Sequence, residues 1–269
     1  MHDVQSSPDT RGIDIQRVGL KDVRLPFLIR TMDGDYQQVL GKVTVAAELP
    51  KEYRGTHMSR FMEVLLAWSR KPIAGTELRL ILREIVEKLA APAAEISLSF
   101  RYFLAKTAPV TKSLSYLDYL VETSGRLDDG RFDYLLGVEI PVLTLCPCSK
   151  EIAACGAHNQ RAAIRARVRF RPGCFLWIEE LVALLERQGS APIYPLLKRE
   201  DEKFITEEAY RRPKFVEDVV RDAVLALRAE PRIRWFAVEC ESYESIHNHN
   251  AFAAHEESHA SPGPVKNCP

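Results

Sequence analysis

Long apolar runs, net charge, glycine-rich loops and glycine/serine linkers are all missing from these 269 residues. No apolar stretch approaches the roughly 18 residues that a membrane helix needs, so no membrane span is expected. Lys and Arg total 37 and Asp and Glu total 37. With no net charge there is no global argument for nucleic acid or an anionic surface, and any polyanion must be met by a local cluster. Because no glycine-rich phosphate loop is present, a polyphosphate would have to be gripped by side chains. The start, Met1-His2-Asp3-Val4-Gln5, has neither the basic region nor the apolar stretch of a signal peptide, and a cytoplasmic protein is expected. There, the 6 cysteines should be reduced, and they are candidates for ligands or nucleophiles before disulfides. Cys174 and Cys240, inside apolar patterns, read as small buried hydrophobes.

What is present is orderly. Residues 1–12 read as a disordered leader and 256–269 as a loose tail. Between them Val23, Leu25, Phe27 and Ile29 alternate, Asp33-Gly34 makes a turn, and Val39, Val43, Val45 and Ala47 return on one face, which is a β-hairpin. Helical stripes follow at Met58, Phe61, Met62, Leu65 and at Leu78, Ile81, Leu82, Ile85, the second with Thr76 placed as its cap. Ile96, Leu98 and Phe100 alternate again, and Leu117, Tyr119 and Val121 add a strand. The order then recurs: strands at 132–142 and 164–170, helical stripes from Ile178 and from Phe215, a strand at Ile233–Ala237, and a last one around His249–Phe252. This predicts an α+β protein of two tandem ββααββ modules, 13–128 and 129–255, joined at Asp128-Asp129-Gly130, with an antiparallel sheet and helices on one face.

The chemistry concentrates in Leu145-Cys146-Pro147-Cys148-Ser149-Lys150-Glu151-Ile152 and Gly156-Ala157-His158-Asn159-Gln160-Arg161. Pro147 stiffens the backbone between two thiols, which point opposite ways if the segment is extended. Gly156-Ala157 lets the chain double back and bring His158 to a thiol. His247-x-His249 puts two rings on one face of an extended segment, beside Glu239, Glu241 and Glu244. Glu200-Asp201-Glu202-Lys203 reads from spacing alone as a solvated loop ahead of Thr206, itself placed to cap a helix. Arg165, Arg167, Arg169 and Arg171 share one strand face, either solvated or a platform for polyphosphate. Thiolate, imidazole and carboxylate together suit a borderline-soft divalent metal.

These blocks, in this order, resemble the signature of bacterial GTP cyclohydrolase IB, the second type of GTP cyclohydrolase I. The resemblance runs from Arg17-Val18-Gly19 nearly to His249. It includes Gly55-Thr56-His57-Met58-Ser59-Arg60-Phe61, Leu196-Leu197-Lys198-Arg199, Asp201-Glu202-Lys203, Phe215-Val216-Glu217-Asp218 and Glu244-Ser245-Ile246-His247-Asn248-His249. It implies the tunnelling fold, closed as an oligomeric barrel, in a homotetramer with active sites at subunit interfaces. The activity implied is conversion of GTP to 7,8-dihydroneopterin triphosphate and formate, the first step toward tetrahydrofolate. Carried over residue by residue, it implies one divalent metal (Zn, Mn or Fe(II)) on Cys146, His158, Glu202 and His247, with Glu217 anchoring the purine. Cys146, His249 and Cys148 become the catalytic candidates, and Lys150 and Arg199 candidates for substrate binding alongside the arginine strand. Three other readings stay open: an archaeal-type GTP cyclohydrolase giving a cyclic phosphate product, a nitrile reductase of the same fold, and a zinc-stapled binding protein without catalysis.

Overall fold

The computed structural model describes Gln5 and residues 7–259. In chain order the elements are β1 (Ile15–Arg30), β2 (Tyr36–Leu49), α1 (Met58–Trp68), β3 (Pro72–Ile73), α2 (Gly75–Leu89), β4 (Ala93–Thr107), β5 (Leu114–Asp128) and β6 (Arg131–Leu145). There follow α3 (Pro147–Ile152), β7 (Asn159–Phe170), α4 (Ile178–Glu186), β8 (Ala191–Pro192), α5 (Arg199–Arg211), α6 (Val216–Ala229), β9 (Ile233–Ser242) and β10 (Ala251–Ser258). They form two compact units: Met1–Arg101 with Glu122–Leu136, and Tyr102–Val121 with Gly137–Pro269. In each the helices lie on one side of antiparallel strands, as the alternating pattern predicts.

In the first unit β1 and β2 are the expected hairpin, closed where Arg30 faces Tyr36 and Gly34 takes the positive φ that the turn requires. β2 continues onto β4 with Val43 opposite Leu98. Val43, Val45 and Ala47 are buried together with Leu78, Ile81, Leu82 and Ile85 of α2, so the two hydrophobic periods meet in one core. α2 starts two residues earlier than expected: Thr76 is inside it, and the Ala74 N–H is taken by Glu77 Oε2 at 2.8 Å. Gly75 makes that start possible, because a Cβ there would come within 2.6 Å of the Tyr134 ring.

The second unit orders its strands β10-β9-β7-β6, with β8 on the other side of β6. α6 packs on β9 and β10, and its Val219, Val220, Ala223 and Leu227 are buried with Phe236, Val238 and Cys240 of β9. Two helices exceed the expected ββααββ count. α3 is one short turn entered through Pro147 at its first position, where the fixed φ of proline suits a helix. α5 begins in the charged run Glu200-Asp201-Glu202, where spacing alone predicts a loop. Its acidic residues sit where the positive end of the helix dipole favours them, and Thr206 lies inside it, donating to Glu202 O at 2.8 Å.

Leader and tail also depart from expectation where they are described. Pro8 bridges Tyr53, and the Gly55 N–H donates to Gln5 O at 3.1 Å. β10 runs through 256–258, and the His259 N–H donates to Arg234 O at 2.8 Å. The remainder of the expected tail, from 260, lies outside the described residues. Cys240 is fully buried as predicted, and burial pushes its thiol up to about 12. Cys174 is half-buried and not the fully buried core thiol expected.

Candidate active site

β6 delivers Cys146 at its end. Leu145, immediately before it, is buried with Ala191, Ile205 and Ala209, against which Tyr194 and Leu197 also pack. This small cluster under the strand end fixes the backbone from which the thiol projects. Cys146 caps α3, its Sγ accepting the Ser149 N–H at 3.4 Å. The segment is therefore a helix entry and not the extended stretch expected, and Cys148 falls on an exposed position of the first turn. The doubling back at Gly156 does occur, at a φ of 76°. It lets Cys146 N–H donate to His158 O at 3.1 Å and His158 N–H donate to Ser149 Oγ at 2.9 Å.

The His158 ring is held by a chain of polar groups whose directions are fixed. Nδ1 lies 3.0 Å from Gln160 Oε1. The other end of that amide, Nε2, donates to Ser242 Oγ at 3.0 Å and to Glu244 Oε1 at 3.3 Å. Ser242 itself donates to Glu244 Oε1 at 2.9 Å. The β7–β9 register, with Ala162 opposite Ser242, brings Gln160 across from Glu244 although 84 positions separate them.

His247 and His249 lie on the connection between β9 and β10. Their rings stack with centroids 5.2 Å apart and planes 15° from parallel. Arg165 ties down the β9 foot of this connection: its guanidinium donates to Glu139 Oε2 at 2.8 Å, Glu239 Oε1 at 3.0 Å, Glu241 Oε2 at 2.6 Å and Tyr243 Oη at 3.3 Å. Glu241 in turn accepts from Asn250 Nδ2 at 2.8 Å. These carboxylates hold the guanidinium well above its usual pKa. Arg169 covers the Trp235 ring at 5.5 Å. Arg165 is committed to protein partners, which goes against its use as a phosphate platform.

Together these elements enclose a cavity of about 410 Å³. Cys146, His158, Glu217, His247 and His249 of the expected residues line it, with Thr144, Gln160, Lys214, Ser242 and Glu244. Glu217 stands in the first turn of α6. Lys214, half-buried, donates to Asp222 Oδ2 at 2.6 Å and Gln188 O at 2.8 Å. Gln160, Ser242 and Lys214 are the functional positions that sequence reasoning left without a role. Gln160 and Lys214 did stand in or next to quoted blocks, but their partners are remote in sequence.

Four expected residues are outside the cavity wall. Cys148 is exposed. Lys150 donates to Tyr210 O at 2.6 Å and lies over that ring at 4.3 Å. Arg199 and Glu202 are exposed on α5. The reason for Glu202 is periodic: Asp201, Ile205 and Ala209, four apart, form the buried face of α5, and the next residue is turned about 100° away. Asp201 is fully buried. Burial raises its pKa, but donation from Thr111 Oγ1 and from the N–H groups of Lys198, Thr111 and Val110 outweighs this, and the carboxyl ends well below its ordinary range. As a donor set, Cys146, His158 and His247 fit a divalent metal. Among the described residues, no three His, Cys, Asp or Glu side chains are already gathered at metal-holding distance.

Comparison with known proteins supplies the family. Residues 1–253 match the family described as type I GTP cyclohydrolase FolE2. Among curated relatives, the GTP cyclohydrolase FolE2 of Geobacter sulfurreducens is 49% identical over 257 residues, covering 96% of this chain and 98% of the relative. That of Magnetococcus marinus is 47% identical over 253 residues, 94% of each chain. Among solved structures, uricase from Arthrobacter globiformis has a TM-score of 0.56 at 11% identity, covering 93% of this chain and 96% of that one. The likeness to uricase concerns the fold alone, which is the tunnelling fold.

Proposed function

Since this chain belongs to the type I GTP cyclohydrolase family FolE2 and is a GTP cyclohydrolase of folate biosynthesis, we propose that its reaction is metal-dependent. In this reading GTP and water become 7,8-dihydroneopterin triphosphate and formate. The observation that carries it is the convergence of Cys146, His158, His247 and Glu217 on one cavity wall. Cys146, His158 and His247 would hold one divalent ion (Zn, Mn or Fe(II)), with Glu202 of α5 the fourth ligand that the family resemblance implies. When bound, such an ion supplies Lewis-acid chemistry and acidifies water near the guanine C8.

The chain's own side chains do the rest. The Glu217 carboxylate accepts from N1–H and the 2-amino group of guanine, a two-donor edge matched to a two-acceptor group. That contact sets which edge of the base enters and so presents C8 to the Cys146 and His158 side. His247 and His249, on the same cavity wall, would take up and return protons during ring opening, release of formate and closure of the pterin, the general acid–base work for which imidazole serves. Lys214 is the cation on the cavity wall, and it would meet the triphosphate only by exchanging its contact with Asp222.

In this reading the enzyme works in the cytoplasm, where GTP is available. Its assembly as a homotetramer with shared sites rests on the family resemblance. It is supported by β10 ending the strand order among the described residues, with Phe252 69% exposed, because an open edge beside apolar surface favours association. No described helix is long and apolar enough to cross a membrane.

The test is to demetallate the protein, reload it with Zn, Mn or Fe(II), and follow GTP by pterin fluorescence, formate release and phosphorus NMR. A linear triphosphate on the pterin is expected; a cyclic phosphate would move the enzyme to the archaeal-type reaction. Full turnover in rigorously metal-free protein would sink the metal reading.

A further inference from the structure

We infer that Gln160 is a positioning residue that sets which nitrogen of His158 is free to face the cavity. The inference rests on the proposed role of His158 in the cavity and adds a device that governs it. A glutamine amide can present either end to an imidazole, so its orientation has to be settled by its other contacts. Here both other partners are decisive. Glu244 Oε1, at 3.3 Å, can only accept while ionised. Ser242 Oγ already donates its proton to that carboxylate, so toward Gln160, at 3.0 Å, it too accepts. The group facing them must be NH₂. The group facing His158 is then the carbonyl oxygen, and Ser245 Oγ, donating to the same oxygen at 3.4 Å, agrees with this.

A carbonyl 3.0 Å from Nδ1 needs a proton on that nitrogen. His158 is thereby held in the Nδ1–H tautomer, leaving the Nε2 lone pair as the ring's one available acceptor or ligand position. The same amide joins the start of β7, just after His158, to the residues just ahead of His247. Thus one side chain sets the tautomer of one imidazole and ties down the segment leading to the next. Among the described residues, Gln160 is the side chain that bonds His158 Nδ1.

The test uses ¹⁵N-histidine NMR of the metal-free full chain, above the pH range of imidazole protonation, with Zn(II) affinity measured by competition with a chromogenic chelator. In the parent protein His158 should show a single Nδ1–H tautomer. In Gln160→Leu it should become a mixture or switch to Nε2–H. Zn(II) affinity should then fall about 10- to 100-fold, the usual effect of losing such a partner. Gln160→Glu keeps an acceptor opposite Nδ1 and should retain the parent tautomer. A parent spectrum with Nε2–H, or a His158 signal identical in parent and Gln160→Leu, would overturn the inference. The parent spectrum decides even if the leucine variant fails to fold. Should the parent fail to bind Zn(II) while its His158 is Nδ1–H, the metal reading falls and the role of Gln160 stands.

Discussion

Asp201 and Thr111 are locked together by two hydrogen bonds: the carboxylate accepts the Thr111 N–H at 3.0 Å and its hydroxyl at 2.6 Å. The same carboxylate takes the N–H of Val110 at 2.9 Å and of Lys198 at 3.0 Å. One buried side chain therefore caps α5 and pins the loop after β4.

The first prediction follows from this lock. The folded-state pKa of Asp201 is depressed, so its stabilising contribution is complete above the ordinary carboxylate value and is lost as pH falls toward the depressed one. Asp201→Asn turns one acceptor into a donor facing donors. Thermal unfolding should drop by several degrees near neutrality, and the gap between variant and parent should narrow as pH falls below the ordinary value of 3.8. A gap that stays constant with pH would show that the carboxylate's charge is not what stabilises the lock.

At the purine end, Glu217→Gln replaces an acceptor with a donor facing a donor. The mismatch of roughly 1–3 kcal/mol corresponds to about a 5- to 150-fold weaker GTP affinity, with metal content unchanged. Equilibrium binding of a non-hydrolysed GTP analogue reads this directly. Unchanged affinity would mean that the guanine edge is read elsewhere.

The two neighbouring thiols should behave oppositely. Cys146→Ala should remove turnover and weaken metal binding while the fold survives. Cys148→Ala, at an exposed position outside the cavity wall, should leave most of the activity. Pterin formation and metal content, measured on both, check this. Equal losses would restore Cys148 to the chemistry.

Arg165 gives a fourth prediction. A residue that gripped phosphate would chiefly raise KM when removed. Arg165 is engaged by three carboxylates and Tyr243, so Arg165→Gln should instead destabilise the protein. At up to about 1 kcal/mol per half-exposed pair, the loss should be roughly 1–3 kcal/mol. kcat should fall more than KM rises, because the histidine connection is loosened. A pure KM effect at parental stability would reinstate the phosphate platform.

How legible was this in the sequence? The hairpin at Asp33-Gly34, the α2 stripe and the strand at Ile96–Phe100 each follow from one local period, and the structure keeps them. So do the residues that meet in the cavity from quoted blocks: Cys146, His158, Glu217, His247 and His249. What escaped is what local pattern cannot encode. Glu200-Asp201-Glu202 is charged enough to pass for a loop. Only the buried contacts of Asp201 with a segment 90 residues away reveal a helix start, and with it the outward turn of Glu202. Gln160 looked like one polar residue among several until the strand register set it opposite Glu244. The arginine face was read correctly as an alternation, but its carboxylate partners lie on β6 and β9, where strand order and not sequence distance decides.

The pairing of Ala251 with Ser242 has an engineering meaning. It places the two feet of the His247–His249 connection across from each other in adjacent strands, and such partners sit only about 4.5–5.5 Å apart. Eight residues, 243–250, leave and return through one narrow gate already closed by the strands. Lengthening or rewriting such a loop adds little closure entropy, because each doubling of length costs only about 0.6 kcal/mol. The connection can thus be lengthened without redesigning the core beneath it, provided that Glu244, His247 and His249 keep their places in the cavity wall.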